Sequence, residues 1–325
     1  MGGYGRSSLL QSPRQKARFG TGALQNLLLS FARGKGWGFA AGLEPQTLQG
    51  YTSSFHTDAP LPLHYTEKNE GLLTLACLQA ALRWKDLAMG YQFGYLWGTY
   101  TRQRSLQSSA QAFPDYLTTQ LRVAGIQHRI GILWQDSLPN GTLQMSLTYT
   151  LPTSLARELT YYLQKNFSLT NILLDTLGVG KDRWRLGSQL RGGALWAANR
   201  WQIGIEGGYQ APSQAWIGAG LVEAQPRPGW DLRIGGELIP DPRSPAFYKR
   251  IRYQLGGFAV QPPFAPIRQY GATAGIGWQL PRSPNLLFLA VERGWIPSPT
   301  LRETYTQITL GAVFRELWFV PPRID

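Results

Sequence analysis

Residues 303–319 read Glu-Thr-Tyr-Thr-Gln-Ile-Thr-Leu-Gly-Ala-Val-Phe-Arg-Glu-Leu-Trp-Phe. From Ile308 the even positions Ile308, Leu310, Ala312 and Phe314 are apolar. Gln307, Thr309, Gly311 and Arg315 between them are polar, small or charged, and Val313 alone breaks the alternation. Period two belongs to a β-strand whose two faces meet different surroundings. The stretch is about as long as a strand that crosses a bilayer, and it ends on Leu317, Trp318 and Phe319, where aromatic residues favour a membrane–water boundary. It predicts the closing strand of a transmembrane barrel.

Composition agrees. The chain of 325 residues carries 37 Gly, 12 Trp and 15 Tyr, and only 16% of it is charged, a balance unusual for a soluble enzyme. Its mean hydropathy of -0.22 argues against a helical membrane protein, and runs such as residues 286–291 fall far short of the roughly 18 apolar residues a spanning helix needs. A barrel reconciles an average polar chain with a membrane, because only alternate side chains meet lipid. The lone Cys77 excludes an internal disulfide and cannot make a metal site by itself. The formal net charge of +13 is spread along the chain, often near strand ends, as at Arg102 and Arg104 or Lys249, Arg250 and Arg252. That spread predicts anionic lipid head groups, lipopolysaccharide included, as partners and no nucleic acid, which calls for clustered basic and stacking residues.

The chain divides into an irregular N-terminal segment, residues 1–20, with no apolar signal-peptide core, and a barrel over residues 21–325. Predicted strands include residues 24–33, 37–51, 72–84, 87–100, 121–135, 143–151, 187–196, 201–210, 231–238, 248–260, 269–280 and 286–293. In residues 87–97, Met89, Tyr91, Phe93, Tyr95 and Trp97 share one face opposite Gly90, Gln92 and Gly94, giving a bulky lipid face and a thin inner wall. Alternation slips near Ala124-Gly125, as a bulge would produce. Asn140-Gly141 signals a type I′ hairpin turn. Short turns are also expected at Gly34-Lys35-Gly36, Lys85-Asp86, Asn199-Arg200, residues 240–245 and residues 281–284. Residues 56–69, 101–114 and 211–229 read as longer loops. Residues 154–165 fit either a helix or a hairpin extended beyond the membrane with residues 171–177, and the hairpin is favoured. The fold class is thus all-β: an antiparallel up-and-down transmembrane barrel of about 13 to 14 strands, with one strand expected to be lacking at the N-terminal end, since bacterial single-chain barrels have an even count.

On this reading the chain resembles the FadL-like outer-membrane barrels, in a divergent form common in Bacteroidota. The resemblance rests on Gly42-Leu43-Glu44-Pro45 with Gly50-Tyr51, on Gly90-Tyr91 through Leu96-Trp97-Gly98 with Arg102, on Leu232 through Glu237 followed by Pro240, and on Glu303-Thr304-Tyr305 with Leu310-Gly311 and Trp318-Phe319. It implies fourteen strands, an N-terminal luminal plug, an outer-membrane location and passive uptake of hydrophobic compounds such as fatty acids. The plug motif and first strand are missing from this sequence, so the resemblance implies an N-terminal truncation.

No enzyme or cofactor signature emerges. His56, His64 and His128 are scattered, Gly178-Val179-Gly180-Lys181 lacks the first glycine of a phosphate loop, and Ser188 sits in no nucleophile elbow. The charged positions expected to face the lumen, Arg129, Glu206, Arg233 and Glu237, are the candidate site residues. Their alternative role is an ion-pair network bracing the interior. Gly271, Gly275 and Gly277 either line a passage or permit strand curvature. The function expected first is passive uptake of a hydrophobic small molecule; the alternative is a non-transporting barrel subunit of a secretion or surface-assembly complex that contacts other outer-membrane proteins. A transporter needs a continuous apolar cavity that reaches an opening in the wall; a scaffold needs an interior filled by side chains.

Overall fold

The computed structural model describes residues 2–11, 16–33, 36–57, 63–108, 115–166, 172–213, 227–241, 244, 246–263, 268–280, 285–297 and 302–314. They form strands β1 (Gly2–Gln11), β2 (Lys16–Arg33), β3 (Trp37–Thr57), β4 (Leu63–Trp84), β5 (Leu87–Ser108), β6 (Asp115–Leu138), β7 (Gly141–Thr150) and β8 (Thr153–Asn166). The order continues with β9 (Ile172–Leu186), β10 (Gln189–Ala197), β11 (Trp201–Gln210), β12 (Gly229–Leu238), a 3-10 turn (Phe247–Arg250), β13 (Arg252–Gln261), β14 (Gln269–Gln279), β15 (Leu286–Ile296) and β16 (Arg302–Val313). All sixteen join one antiparallel sheet, ordered β5-β4-β3-β2-β1-β16 and then downward through β10 to β7, β6, β8 and β9, with β5 pairing β6 as well. Leu317, Trp318 and Phe319, and the turn at residues 281–284, lie outside the described residues.

Registers reduce the sixteen segments to fourteen positions. β6 pairs β7 from Arg129–Thr150 to Leu138–Gly141, then pairs β8 from Gly125–Leu155 to Tyr116–Gln164 on the same side. β10 pairs β7, and β9 pairs β8, with the same offset. β7–β8 is therefore one strand broken at Leu151-Pro152, and β9–β10 one strand broken at Gly187-Ser188. The irregularity expected at Ala124-Gly125 belongs to the partner strand: β6 runs against β5 without a shift, and the extra residue sits beside Pro152, which has no N–H to continue the ladder. The favoured extended hairpin over residues 154–165 is present as β8 and β9.

Several expectations are corrected. Residues 2–11 and 16–20 are strand where an irregular segment was expected: β1 lies between β2 and β16, and supplies the strand that the sequence count lacked. Its Gly, Ser and Arg content hides the alternation. The loops expected at residues 56–69 and 101–114 are largely strand, with His56 opposite His64 and Leu63 opposite Ser108. Their Thr, Ser, Gln and Arg side chains give no apolar period to read, although the backbone ladder still forms. The hairpin after β6 closes on Leu138–Gly141, so Pro139-Asn140 is the two-residue loop. It is not type I′, since Lys85 (φ 54°) is the one non-glycine with positive φ among the described residues and Pro139 holds φ negative. The connection after β12 spans residues 239–251, longer than the turn expected at 240–245, and Phe247–Arg250 winds into a 3-10 turn where a strand start was expected.

The two faces of the sheet differ. Met89, Tyr91, Phe93, Tyr95 and Trp97 of β5 are all exposed on one face, as are Leu143-phase residues Met145, Leu147 and Tyr149 of β7, Trp201, Ile203, Ile205 and Tyr209 of β11, and Leu255 of β13 at 71%. The opposite face carries polar, charged and glycine positions, plus an apolar cluster of Leu73, Leu75, Leu96, Tyr100, Val123 and Leu155 on β4, β5, β6 and β8. Exposed aromatics fall into two belts. Trp37, Trp84, Trp134, Trp196 and Trp201 mark the short-turn end, and Tyr209, Trp230, Tyr270 and Trp295 mark the other. Trp201 and Tyr209 are separated along β11 by about 26 Å at ~3.3 Å per residue, close to the height expected of an apolar band between aromatic girdles once strand tilt is included.

One seam departs from full pairing. β2 pairs β3 only from Leu27–Leu43 to Arg33–Trp37. Above it, residues 16–24 and Asn26 pair β1, while residues 44–57 pair β4. Register shifts mark both strands where they part, beside Leu24 and Asn26 of β2 and between Pro45 and Thr47 of β3. Gly42 permits the last close contact, because a Cβ there would stand 2.6 Å from the Leu27 carbonyl oxygen.

Candidate functional site: a polar cavity and its ion pairs

Alternation puts every second residue of β10 to β15 on the polar face, and several of these are charged. They surround a cavity of about 930 Å³ whose lining includes Gln144, Gln202, Glu206, Arg233, Glu237 and Gln254. Glycines 193, 204, 235 and 256 supply much of its floor, and with no Cβ they leave the space in which the long polar side chains meet.

Those side chains are cross-braced. Arg191 donates to Glu206 at 2.8 Å and to Asp231 at 3.0 Å, and so links β10, β11 and β12. Arg233 approaches Asp231 at 3.7 Å. Arg252 donates to Glu237 at 3.0 Å, and the Gln254 amide donates to its other oxygen at 2.7 Å. A second group closes the seam between the first and last strands: Arg6 donates to Glu303 at 2.6 Å and lies 3.7 Å over the Tyr305 ring. Tyr305 is buried, donates to Glu292 at 2.7 Å and accepts a hydrogen bond from Gln269. Each carboxylate of the two groups is engaged by at least one cation or donor.

Large rings fill the gaps left by glycines on the neighbouring strand. A Cβ on Gly271 would stand 2.2 Å from the Phe258 ring, one on Gly294 would stand 2.2 Å from Tyr305, and one on Gly311 would stand 1.8 Å from Phe288. Gly271 is thus a seat for an aromatic ring and not a bare passage wall. The thin wall expected at Gly94 is likewise covered by Leu75 of the adjacent strand, and Leu73 covers Gly98 in the same way.

Of the four site residues expected from sequence, Glu206, Arg233 and Glu237 line the cavity together. Arg129 lies apart, donating to Thr150 at 3.1 Å and to Gln92 at 3.4 Å. Asp231 alternates onto this face with Arg233 and Glu237, as the sequence pattern of β12 predicts, but Arg191 and Arg252, the cations that pair the acids, were not singled out, although strand parity puts them on the same face. His128 faces the apolar side, bonded to the Tyr91 hydroxyl at 2.6 Å. Gly178 and Gly180 are ordinary positions of β9. Among the described residues no group of three or more His, Cys, Asp or Glu could hold a metal ion.

Beyond the apolar band, where β4 and β5 rise past Trp97, Glu67 accepts from Arg102 at 2.7 Å, Asn69 at 2.9 Å and Tyr65 at 2.8 Å. Burial alone would raise the Glu67 pKa. The hydrogen bonds from Arg102, Asn69 and Tyr65 outweigh it and hold the carboxyl at about 2. Burial, with the neighbouring Glu67, pushes the Tyr65 phenol up.

A sheet of antiparallel strands with one apolar exposed face and one polar face is the arrangement expected of an outer-membrane β-barrel. The family model of BamG matches residues 1–325, and the chain belongs to the BamG family. Among solved structures, the chain is similar to a TodX deltaS2S3 mutant, a monoaromatic hydrocarbon channel, with TM-score 0.62 and 13% identity over 96% of this chain and 88% of that one. It is also similar to CymD, another monoaromatic hydrocarbon channel, with TM-score 0.57 and 10% identity over 96% of this chain and 87% of that one. At these identities the likeness is one of fold. No curated protein sequence matches the chain.

Proposed function

We propose that the chain is a closed outer-membrane β-barrel, its exposed face against lipid and its polar face around the lumen, and that it acts as a non-transporting subunit of an outer-membrane assembly. The carrying observation is the interior. A hydrophobic ligand calls for a mainly apolar pocket with few polar groups, whereas the cavity sets paired charges and amides across β10 to β13 beside the apolar side chains of Leu133, Leu195, Phe258 and Val260. Elsewhere on the same face Leu75 and Leu155 are fully buried within one apolar cluster. Such an interior stiffens a wall. Beyond the membrane, β8 and β9 project as a hairpin whose far edge has no partner strand among the described residues, and an unpaired edge is where another polypeptide adds a strand.

A second reading keeps uptake of hydrophobic small molecules, fatty acids included. Its support is the parting of β2 from β3 above Leu27 and Leu43, which would give a lateral route through the wall, together with the fold shared with hydrocarbon channels. The readings separate in vesicles. Reconstituted protein should admit a fluorescent fatty acid or a monoaromatic compound no faster than protein-free vesicles, and tagged protein extracted gently from its native membrane should migrate in an assembly larger than a monomer. Saturable entry of the hydrophobic probe, with the protein monomeric on extraction, would replace the first reading by the second.

A further inference from the structure

Most arginines of the polar face are paired closely with acids, and those of the apolar face above the aromatic belt are not. On the polar face Arg6, Arg102, Arg157, Arg191 and Arg252 each hold a carboxylate within 3.0 Å. On the other face of the extension built by β6, β8 and β9, Arg122, Arg183 and Arg185 are exposed and have no acidic partner among the described residues. Lys181 stands in the same column as Arg183 and Arg185, 74% exposed, with only a loose 3.5 Å contact to Glu158. The register sets these groups side by side. Arg122 is opposite Glu158, which is opposite Lys181, and the next row runs Ala124, Ala156, Arg183. The two alanines leave a shallow floor between basic walls.

Height matters as much as charge. The row of Ala124, Ala156 and Arg183 begins at Trp97 of β5, a member of the exposed apolar face. Below the basic column on the broken strand is Leu190, opposite Tyr209 of the belt, and on β6 Ile126 lies two residues below Ala124, about level with Arg185; both are exposed. Arg185 stands five residues above Leu190 along the broken strand, about 16 Å at ~3.3 Å per residue, and Arg183 and Lys181 climb from there. An apolar surface surmounted by cations, of which Lys181 alone has an acid of the chain within 4 Å among the described residues, matches an amphiphile with acyl chains below and phosphates above.

We infer that the outer surface of β6, β8 and β9 is a docking face for a phosphorylated glycolipid of the outer leaflet, with Arg122, Lys181, Arg183 and Arg185 meeting its phosphates and Ile126 and Leu190 its acyl chains. The inference rests on the outer-membrane reading and is independent of what the lumen does. Guanidinium groups suit phosphate through paired N–H donors. A basic group near a membrane surface contributes roughly fivefold in affinity for anionic lipid.

The test uses full-length protein in neutral detergent micelles, probed by native mass spectrometry with added lipid A, with the same lipid after phosphatase treatment, and with inorganic phosphate. Wild-type protein should retain lipid A, retain the dephosphorylated lipid at least tenfold less, and be unaffected by millimolar phosphate. The combined Lys181→Gln, Arg183→Gln, Arg185→Gln variant should lose on the order of 100-fold in affinity. Lys85→Asn, which removes a cation at the opposite end, should not change it. Equal retention by the triple variant, or equal binding of the dephosphorylated lipid, would overturn the inference. Insertion of the same preparations into vesicles reports separately on the membrane reading: protein that inserts but shows no phosphate dependence refutes only the docking face. Protein that fails to insert refutes the outer-membrane reading on which it rests.

Discussion

Glu67 shows how much one side chain is asked to carry at the outer end of the long strands. With its pKa at about 2 in the fold and near 4.3 when unfolded, the carboxylate contributes stability that is complete above roughly pH 4.5 and is lost as pH falls toward the folded value. Urea or thermal melts between pH 6 and pH 2.5 should therefore lose stability with a component that Glu67→Gln removes, the variant starting lower and falling less. Tyr305 is a second such residue. Tyr305→Phe leaves Glu292 without its hydroxyl donor at a buried position, and should cost about 1–3 kcal/mol in a reversible denaturation measurement. The glycine seats predict a steric effect: Gly311→Ala must displace the Phe288 ring, and should destabilise by about 1–3 kcal/mol, whereas Gly178→Ala meets nothing within 4 Å and should be near neutral. Residues of this kind were half legible beforehand. Alternation sufficed to put Glu206, Arg233 and Glu237 on one face, because parity is a property of a single strand. Their partners Arg191 and Arg252 depended on how two strands line up, and a side-chain pattern does not carry that register when both strands are polar on the face concerned.

Elements were legible where a strand has an apolar side. β5, β7, β11 and β16 announce themselves because every second residue is bulky and exposed. The upper halves of β3, β4, β5 and β6 do not, since both of their faces are polar and the ladder is then held by backbone pairing and groups such as Glu67 with Arg102. β1 was missed for the same reason. Turn geometry offers a check at this scale. Lys85 bears the positive φ of the β4–β5 hairpin, so Lys85→Gly should keep or raise stability, and Lys85→Val should lower it by about 1–3 kcal/mol, in the same denaturation assay.

For the whole molecule, a sequence-level argument from every second side chain gave the membrane-facing band, and the exposed face bears that pattern. What the argument could not give was the state of the interior, which depends on whether opposite charges meet across neighbouring strands. The band itself makes a prediction. Leu255, mid-strand and 71% exposed, should not tolerate a cation: Leu255→Arg should cost roughly 2–4 kcal/mol in lipid bilayers and much less in a detergent that lets the guanidinium reach water. On the other face Thr273→Arg, toward the cavity, should insert normally. Equal costs for the two would contradict the assignment of faces.

The contact between Gly2–Gln11 and Arg302–Val313 also governs timing. Every other neighbour in the sheet is reached through a nearby segment, but these two meet only across almost the full length of the polypeptide. Hairpins can zip one after another at small entropic cost, while joining the extremes demands the largest loop the molecule contains. That union should come last and set the rate of folding. A cysteine pair across Ser7 and Thr306 would therefore oxidise only after tryptophan emission has reached its native value, and a rearranged gene that opens the chain elsewhere and fuses these two strands should mature faster.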